Sequence, residues 1–77
     1  MNKKEFLNEI EELLELDENS LTGTELLEEL GDWDSLAIMG FIAIVDDNFE
    51  VTLEADKIVA CVTVDHLILL VSDYLKE

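Results

Sequence analysis

The chain has 77 residues, of which 20 are Asp or Glu and 4 are Lys or Arg, so its formal net charge is −16. This charge excludes direct binding to nucleic acid and insertion into anionic membrane surfaces, because both need a positive protein surface. It favours partner proteins that carry basic patches. The single cysteine cannot form an internal disulfide. The length predicts one domain over residues 1–77, and the apolar content of 49% predicts that this domain is folded.

The first predicted element is an amphipathic helix over about residues 3–16. Its apolar residues recur at three- and four-residue spacing, and glutamates are expected to cover the opposite, solvent-facing side. The apolar set is Phe6, Leu7, Ile10, Leu13 and Leu14, and the glutamates are Glu5, Glu9, Glu11, Glu12 and Glu15. This acidic start does not resemble a signal peptide, and the longest apolar run is too short to cross a bilayer, so we expect a cytoplasmic protein.

Residues 17–34 are predicted to form a long connection with some helical structure of its own. Thr22 and Glu25 have the spacing of a capping box. Leu26, Leu27 and Leu30 are expected to form one or two short turns against the core, and Gly31 is expected to end them.

A second helix is predicted from Ser35 to about residue 48. Its apolar residues continue nearly all the way round, which indicates that part of its surface stays exposed for a partner or ligand. We expect two buried faces, one of Leu36, Met39, Ile42 and Phe49 and the other of Ile38, Phe41 and Val45.

The remainder predicts an extended connector and two further helices. Residues 49–53 alternate apolar and polar side chains, and with no second strand to pair with they are interpreted as a connector that places Val51 and Leu53 inward. A short helix is predicted over about 55–61, and Thr63 is expected to cap a last helix over about 64–76. The residues of this last helix expected to face the core are Val64, Leu67, Ile68 and Val71. The fold class is therefore an all-α, up-down bundle of three main helices and one short helix.

Ser35 is the residue with the clearest chemical potential. It lies in the run Asp32-Trp33-Asp34-Ser35-Leu36 and immediately precedes the apolar stretch of the second helix. Asp34 and Ser35 both suit a helix N-cap, which is the ordinary structural reading. A helix N-terminus also has unpaired N–H groups and favours a negative charge, so a phosphate ester on Ser35 would be stabilised there.

The whole chain resembles the acyl carrier proteins, also called phosphopantetheine-binding carrier proteins. The likeness includes the amphipathic first helix, the long loop, the acidity and the helix layout. The matching motifs are Asp34-Ser35-Leu36, Asp46-Asp47-x-Phe49, Val51-Thr52-Leu53 and Thr63-Val64. The resemblance implies a small four-helix acyl-carrier bundle.

The resemblance also implies a function for these residues. Ser35 would be the attachment point of a covalent 4′-phosphopantetheine arm, moved from coenzyme A by a phosphopantetheinyl transferase with Mg²⁺. Asp34 and Leu36 would help the transferase to recognise the serine. Such a carrier has no catalytic residues of its own, and it presents acyl or aminoacyl groups as thioesters to acyl-transferring or condensing enzymes with basic docking patches. It is expected to act as a monomer.

Candidate partner-binding residues are Asp32, Met39, Asp46 and Asp47. Carriers of fatty acid synthesis commonly have acidic residues where this chain has Ala37 and Gly40, and a small residue where it has Trp33. These departures favour a specialised carrier of a fatty acid, polyketide or related pathway. The competing interpretation from another class is an unmodified acidic helical interaction module, and a third is a weak divalent-cation buffer.

Other residues with chemical side chains receive structural interpretations. Cys61 is expected to be a core residue, because no basic neighbour indicates a reactive thiolate. His66 has no second His or Cys at ligand spacing, so no metal site is predicted, and the side chain is expected to be solvated or lightly paired. Trp33 is expected to pack over the bundle. An apolar slot for cargo, or ordinary core packing, would account equally for Ile42, Val45, Leu53, Ile58 and Leu67.

Overall fold

The computed structural model describes residues 1–30 and 33–76. Helix α1 spans Lys3–Leu13, and Asn2 begins it with a full capping box. The Oδ1 atom of Asn2 accepts from the backbone N–H of Glu5 at 2.8 Å, and the Oε1 atom of Glu5 accepts from that of Asn2 at 3.1 Å. Both polar groups therefore satisfy donors that a helix N-terminus leaves free.

Helix α1 ends before the predicted residue 16. Glu15 takes the left-handed conformation, with φ of 58°, at the position after the cap. Its N–H donates to the carbonyl of Glu12, and the N–H of Leu16 donates to the carbonyl of Glu11. These are the two bonds of a Schellman motif, which usually needs glycine at the left-handed position. Because this position holds glutamate instead of glycine, the sequence did not indicate that the helix ends here.

Glu11 was predicted to lie on the solvent-facing side of α1, and this prediction is wrong. Its side chain is only 2% exposed. One carboxylate oxygen accepts from the N–H of Asn19 and the other from the N–H of Leu21, each at 2.9 Å. The residue thus anchors the loop after α1, and a carboxylate can be buried because hydrogen bonds compensate it.

The connection after α1 contains the predicted capping contact and one short turn, within the one or two turns that were expected. The Glu25 carboxylate does accept from the N–H groups of Thr22 and Gly23. One short 3₁₀ turn follows, Leu27–Glu29, rather than an α-helix. The predicted stop at Gly31 lies outside the described residues.

A pairing between distant segments, which the sequence did not predict, holds this connection in place. Leu26 and Thr63 form an isolated antiparallel bridge. The N–H of Leu27 donates to the carbonyl of Val62, and the N–H of Val64 donates to the carbonyl of Glu25. Because residues 62–63 are committed to this pairing, helix α3 is Ala55–Val59 and stops short of the predicted residue 61.

Helix α2 spans Ser35–Phe49, one residue longer than predicted, and ends at Glu50 with φ of 57°. The two predicted buried faces are only partly correct. Ala37, Phe41 and Val45 form the fully buried face. Leu36 and Met39, which were expected in the core, are 74% and 65% exposed. An all-round apolar helix gives no periodic signal, so its true inward direction could not be read from spacing.

Helix α4 spans Val64–Leu70 and is followed by a 3₁₀ turn, Ser72–Tyr74, where a continuous helix to residue 76 was expected. The Ser72 hydroxyl donates to the carbonyl of Leu69, so it competes with the helical backbone bonds. The predicted cap is confirmed, because Thr63 Oγ1 accepts from the N–H of His66. The predicted inward residues are also confirmed, since all are buried: Val64, Leu67, Ile68 and Val71.

The described part of the chain is an all-α bundle, as predicted, of three main helices and the short α3. The connector over residues 51–54 has no regular structure, and Val51 and Leu53 pack against the core as expected. The centre of the core is aromatic: the ring centroids of Phe6 and Phe41 lie 5.7 Å apart, in an edge-to-face arrangement. Around them lie the fully buried side chains Ile10, Val45, Ile58, Val64, Leu67 and Val71.

Candidate functional site

Ser35 is the first residue of α2 and is exposed to solvent. The residue before it, Asp34, supplies the cap: its Oδ1 atom accepts from the N–H of Ala37 at 3.0 Å. The two residues suggested as caps thus have different roles. Asp34 caps the N-terminus of the helix, and the hydroxyl of Ser35 is not used for capping.

The start of α2 is held firmly under Ser35. Ala37 is buried one residue beyond Leu36, and the N–H of Trp33 donates to the carbonyl of Leu30 at 2.9 Å. Trp33 is half-buried, and its ring packs edge to face on Phe41 with the ring centroids 6.4 Å apart. The predicted packing of Trp33 over the bundle is therefore confirmed. The Ser35 hydroxyl thus lies at the start of a helix whose first turn is packed on the core, where it is accessible to another protein.

The electrostatics of this helix end suit an anionic substituent. Asp34 occupies the Ala37 N–H, and the first intrahelical bond joins the N–H of Ile38 to the carbonyl of Asp34. The N–H groups of Ser35 and Leu36 therefore face the helix N-terminus without intrahelical acceptors. Together with the macrodipole, they would stabilise a phosphate attached to Ser35. The residues present thus fit a phosphodiester at this position.

Two grooves open on either side of the α2 start. One, of about 280 Å³, is lined by Leu13, Glu15, Asp34, Leu36 and Ala37. The other, of about 370 Å³, is mainly apolar and is lined by Leu27, Glu28, Trp33, Ile38, Val59, Cys61 and Val62. The second groove continues onto exposed apolar surface, because Val59 and Val62 are 66% and 55% exposed.

The apolar residues named for a cargo slot or for core packing all belong to the core or lie against it. Val45, Ile58 and Leu67 are fully buried in the central cluster, and Ile42 and Leu53 pack against it. None of these five side chains lines the 370 Å³ groove. The groove was not predicted, because its two walls are distant in sequence.

The candidate partner-binding residues that the structure describes lie on one face of α2. Met39, Asp46 and Asp47 are all exposed, on the same side as Leu36. Asp32, the fourth candidate, lies outside the described residues.

Two of the three positions named above as departures, Ala37 and Gly40, are packed within the fold. Ala37 is buried, and a methyl group added at Gly40 would overlap the Cδ1 atom of Leu13. Gly40 thus allows α1 to approach the backbone of α2 closely. An acidic side chain at position 40 would meet Leu13 of α1.

Cys61 and His66 have structural roles. Cys61 is half-buried, and burial raises the pKa of its thiol, so it is a poor nucleophile at neutral pH. His66 was expected to be solvated or lightly paired, and it is exposed. Its Nδ1 atom accepts from the N–H groups of Val62 and Thr63, which completes the α4 capping box. The spacing Thr63-x-x-His66 was the available signal for this cap.

Within residues 1–30 and 33–76, no group of three His, Cys, Asp or Glu side chains is placed to hold a metal ion. The same part of the chain contains no helix that is both long and apolar enough to span a membrane.

Comparison with known proteins gives one informative match. The family model described as "Phosphopantetheine attachment site" matches residues 4–71, which is nearly the whole chain. Domains of this family are non-catalytic and hold a covalent 4′-phosphopantetheine group. No curated protein and no solved structure gives a significant match.

Proposed function

Because the chain belongs to the phosphopantetheine-binding carrier family, we propose that Ser35 is the residue that holds the arm and that the loaded protein carries acyl or aminoacyl groups as thioesters. The observation that carries the proposal is the free, exposed Ser35 hydroxyl at the N-terminus of α2. When bound, the arm supplies a terminal thiol that forms the thioester. Tethering raises the effective concentration of the cargo at each partner enzyme.

In this proposal the neighbouring residues prepare the serine rather than react. Asp34 caps the first turn of α2 through the Ala37 N–H, so the Ser35 hydroxyl is not needed as the cap. Leu36 is exposed beside it and offers apolar surface to the transferase that delivers the arm from coenzyme A. The N-terminus of α2 stabilises the phosphodiester that results.

The proposed pathway is a specialised one. The acidic residues that fatty acid synthesis carriers commonly present are absent at Ala37 and Gly40. Here Ala37 is buried, and Gly40 lies against Leu13 of α1. Trp33 replaces a small residue and packs on Phe41. Partner enzymes of this chain would therefore meet a different surface beside the serine. The proposal includes a monomeric protein in the cytoplasm, consistent with the mutual repulsion expected at a net charge of −16.

The direct test is incubation of the purified chain with coenzyme A, Mg²⁺ and a broad-specificity phosphopantetheinyl transferase, followed by intact-mass measurement. We expect a gain of one arm on the wild type and on Ser72→Ala, whose serine is also exposed, and no gain on Ser35→Ala. Folding of each variant is checked by circular dichroism. No gain on the wild type would favour the unmodified interaction module, and an undiminished gain on Ser35→Ala would disprove the assignment.

Asp46 and Asp47 are proposed to contact basic groups of partner enzymes. Both are exposed at the far end of α2 from Ser35. Reversing both to Lys should weaken binding to the transferase and reduce its dependence on salt, because fewer opposite charges would be paired. Unchanged binding and an unchanged salt dependence would contradict this role.

A further inference from the structure

His66 caps α4 in a way that only one charge state of its ring allows. The Nδ1 atom accepts from the backbone N–H of Val62 at 3.0 Å and from that of Thr63 at 3.3 Å. A ring nitrogen accepts a hydrogen bond only while it carries no proton, and both nitrogens of a charged imidazole are donors. The cap therefore requires a neutral ring whose single proton is on Nε2.

The two capped residues also join segments that are distant in sequence. The carbonyl of Val62 accepts from the N–H of Leu27 at 2.9 Å, and Thr63 forms the bridge to Leu26. These contacts hold the segment after α3 against the connection before α2. Leu27 is only 2% exposed, so its hydrogen bond to Val62 is shielded from solvent.

The hydrogen bond between Leu27 and Val62 also joins the two walls of the 370 Å³ groove. Leu27 and Trp33 line the groove on the side of the connection, and Val59 and Val62 line it on the side that follows α3. A change that frees residues 62–63 therefore acts on the groove as well as on the α4 cap.

Protonation of the His66 ring would place donor against donor. A proton taken from solvent at Nδ1 turns this atom into a donor that faces the N–H groups of Val62 and Thr63. Both N–H groups then need water as their acceptor, which is within reach because His66 and Val62 are exposed. Histidine is the side chain that ordinarily changes its charge between about pH 5 and 8.

The charged groups on the neighbouring elements act on the ring through space. Asp65 lies 3.3 Å from the Nζ atom of Lys3, and the Glu25 carboxylate accepts from the N–H groups of Thr22 and Gly23. Carboxylates near an exposed ring favour its charged form, but salt screens this effect. The ionisable residues on the elements next to His66 are Lys3 on α1, Glu25 and Glu28 on the connection, Asp56 and Lys57 on α3, and Asp65 on α4.

We propose that His66 is a pH-sensitive switch. Its neutral ring fixes residues 62–63 against Leu26 and Leu27, and its charged ring lets the two walls of the groove separate. The stabilisation by the cap is present where the imidazole is neutral and is lost as pH falls through its titration. This inference goes beyond the carrier function and does not depend on attachment of the arm.

The test uses NMR of the isotopically labelled, unmodified full chain. His66 is the single histidine, so its ring signals give its tautomer and its titration directly. Hydrogen exchange, corrected for the intrinsic rate at each pH, gives the protection of the Leu27 and Val62 N–H groups. The N–H groups of Phe41 and Val45, inside α2, report opening of the whole fold.

We expect a neutral ring with its proton on Nε2, and a local loss of protection as the ring takes up a second proton. Relative to the α2 amides, the protection of Leu27 and Val62 should fall at least about fivefold, the ratio expected for loss of one neutral hydrogen bond. His66→Gln keeps an acceptor that does not titrate, so its protection at Leu27 should change by less than about twofold. If His66→Gln does not fold, the comparison of Leu27 with Phe41 in the wild type decides alone.

Three results would each overturn the switch. They are a neutral ring with its proton on Nδ1, protection of Leu27 that only follows the α2 amides through the titration, and an equal pH-dependent loss in His66→Gln. The mass measurement on Ser35 is made separately, so failure of the switch and failure of the carrier function are distinguished.

Discussion

Glu11 offers the sharpest test of how this fold is held together. Its buried carboxylate accepts from the N–H groups of Asn19 and Leu21, so it connects α1 to the loop that follows. Glu11→Gln preserves the shape of the side chain but replaces one acceptor oxygen with an NH₂ group. That group would face a backbone N–H, donor against donor.

The expected loss follows from these two contacts. A hydrogen bond to a charged group contributes about 1.5–3 kcal/mol, and an unsatisfied buried donor costs about 1–3 kcal/mol. Glu11→Gln should therefore lower the free energy of unfolding by about 2–3 kcal/mol, and Glu11→Ala by about 3–5 kcal/mol. A chain of 77 residues has a total stability of about 4–12 kcal/mol, so either loss is a large share of it.

The assay is urea unfolding followed by helical circular dichroism, with Glu12→Gln as the matched control. Glu12 is the next residue, is exposed, and loses the same charge on substitution. We expect Glu12→Gln to stay within about 0.5 kcal/mol of the wild type. If Glu11→Gln is no less stable than Glu12→Gln, the anchoring role of this carboxylate is wrong.

Three further measurements test the fold. Added NaCl should raise Tm, because it screens the repulsion of a net charge of −16, and a flat or falling Tm would contradict this. His66→Ala should lower the free energy of unfolding by about 1 kcal/mol, because the His66 side chain no longer caps α4. His66→Gln should lower it less, because glutamine is a usual acceptor in a capping box. Equal losses of the two variants in thermal unfolding would refute the capping role of His66. Burial acts to raise the pKa of Glu25, but hydrogen bonds from Thr22 and Gly23 outweigh it and hold that pKa below its ordinary value of 4.5. The hydrogen bonds to the ionised Glu25 carboxylate stabilise the fold at any pH above the unfolded-state pKa of this group, and the stabilisation is lost as pH falls through its folded-state pKa. The Tm difference between the wild type and Glu25→Gln should therefore shrink on acidification. A Tm difference that stays constant would argue against a stabilising role for this carboxylate.

The strongly periodic parts of the fold could be predicted from the sequence. The inward residues of α4, such as Leu67 and Val71, repeat at helical spacing and are buried. The start of α2 at Ser35 followed from polar capping residues placed directly before an apolar run. In both places, local capping chemistry and periodicity agree with the tertiary packing.

The errors occur where tertiary contacts override the local pattern. Glu11 belongs to a glutamate-rich face, and only the loop that folds over it explains its burial. The end of α3 depends on pairing of Thr63 with Leu26, which is distant in sequence. Leu36 and Met39 look like core residues by composition, and their exposure depends on which side of α2 faces α1. One sequence does not contain these choices in local form.

The family match covers the attachment domain, and the residue assignment at its centre is the claim most in need of measurement. After reaction with coenzyme A and the transferase, the modified chain is digested and its peptides are fragmented in a mass spectrometer. We expect one arm, on Ser35, because within residues 1–30 and 33–76 only this residue places an exposed hydroxyl at the N-terminus of a long helix. An arm found on Ser20 or Ser72 instead, or no modified peptide at all, would contradict it.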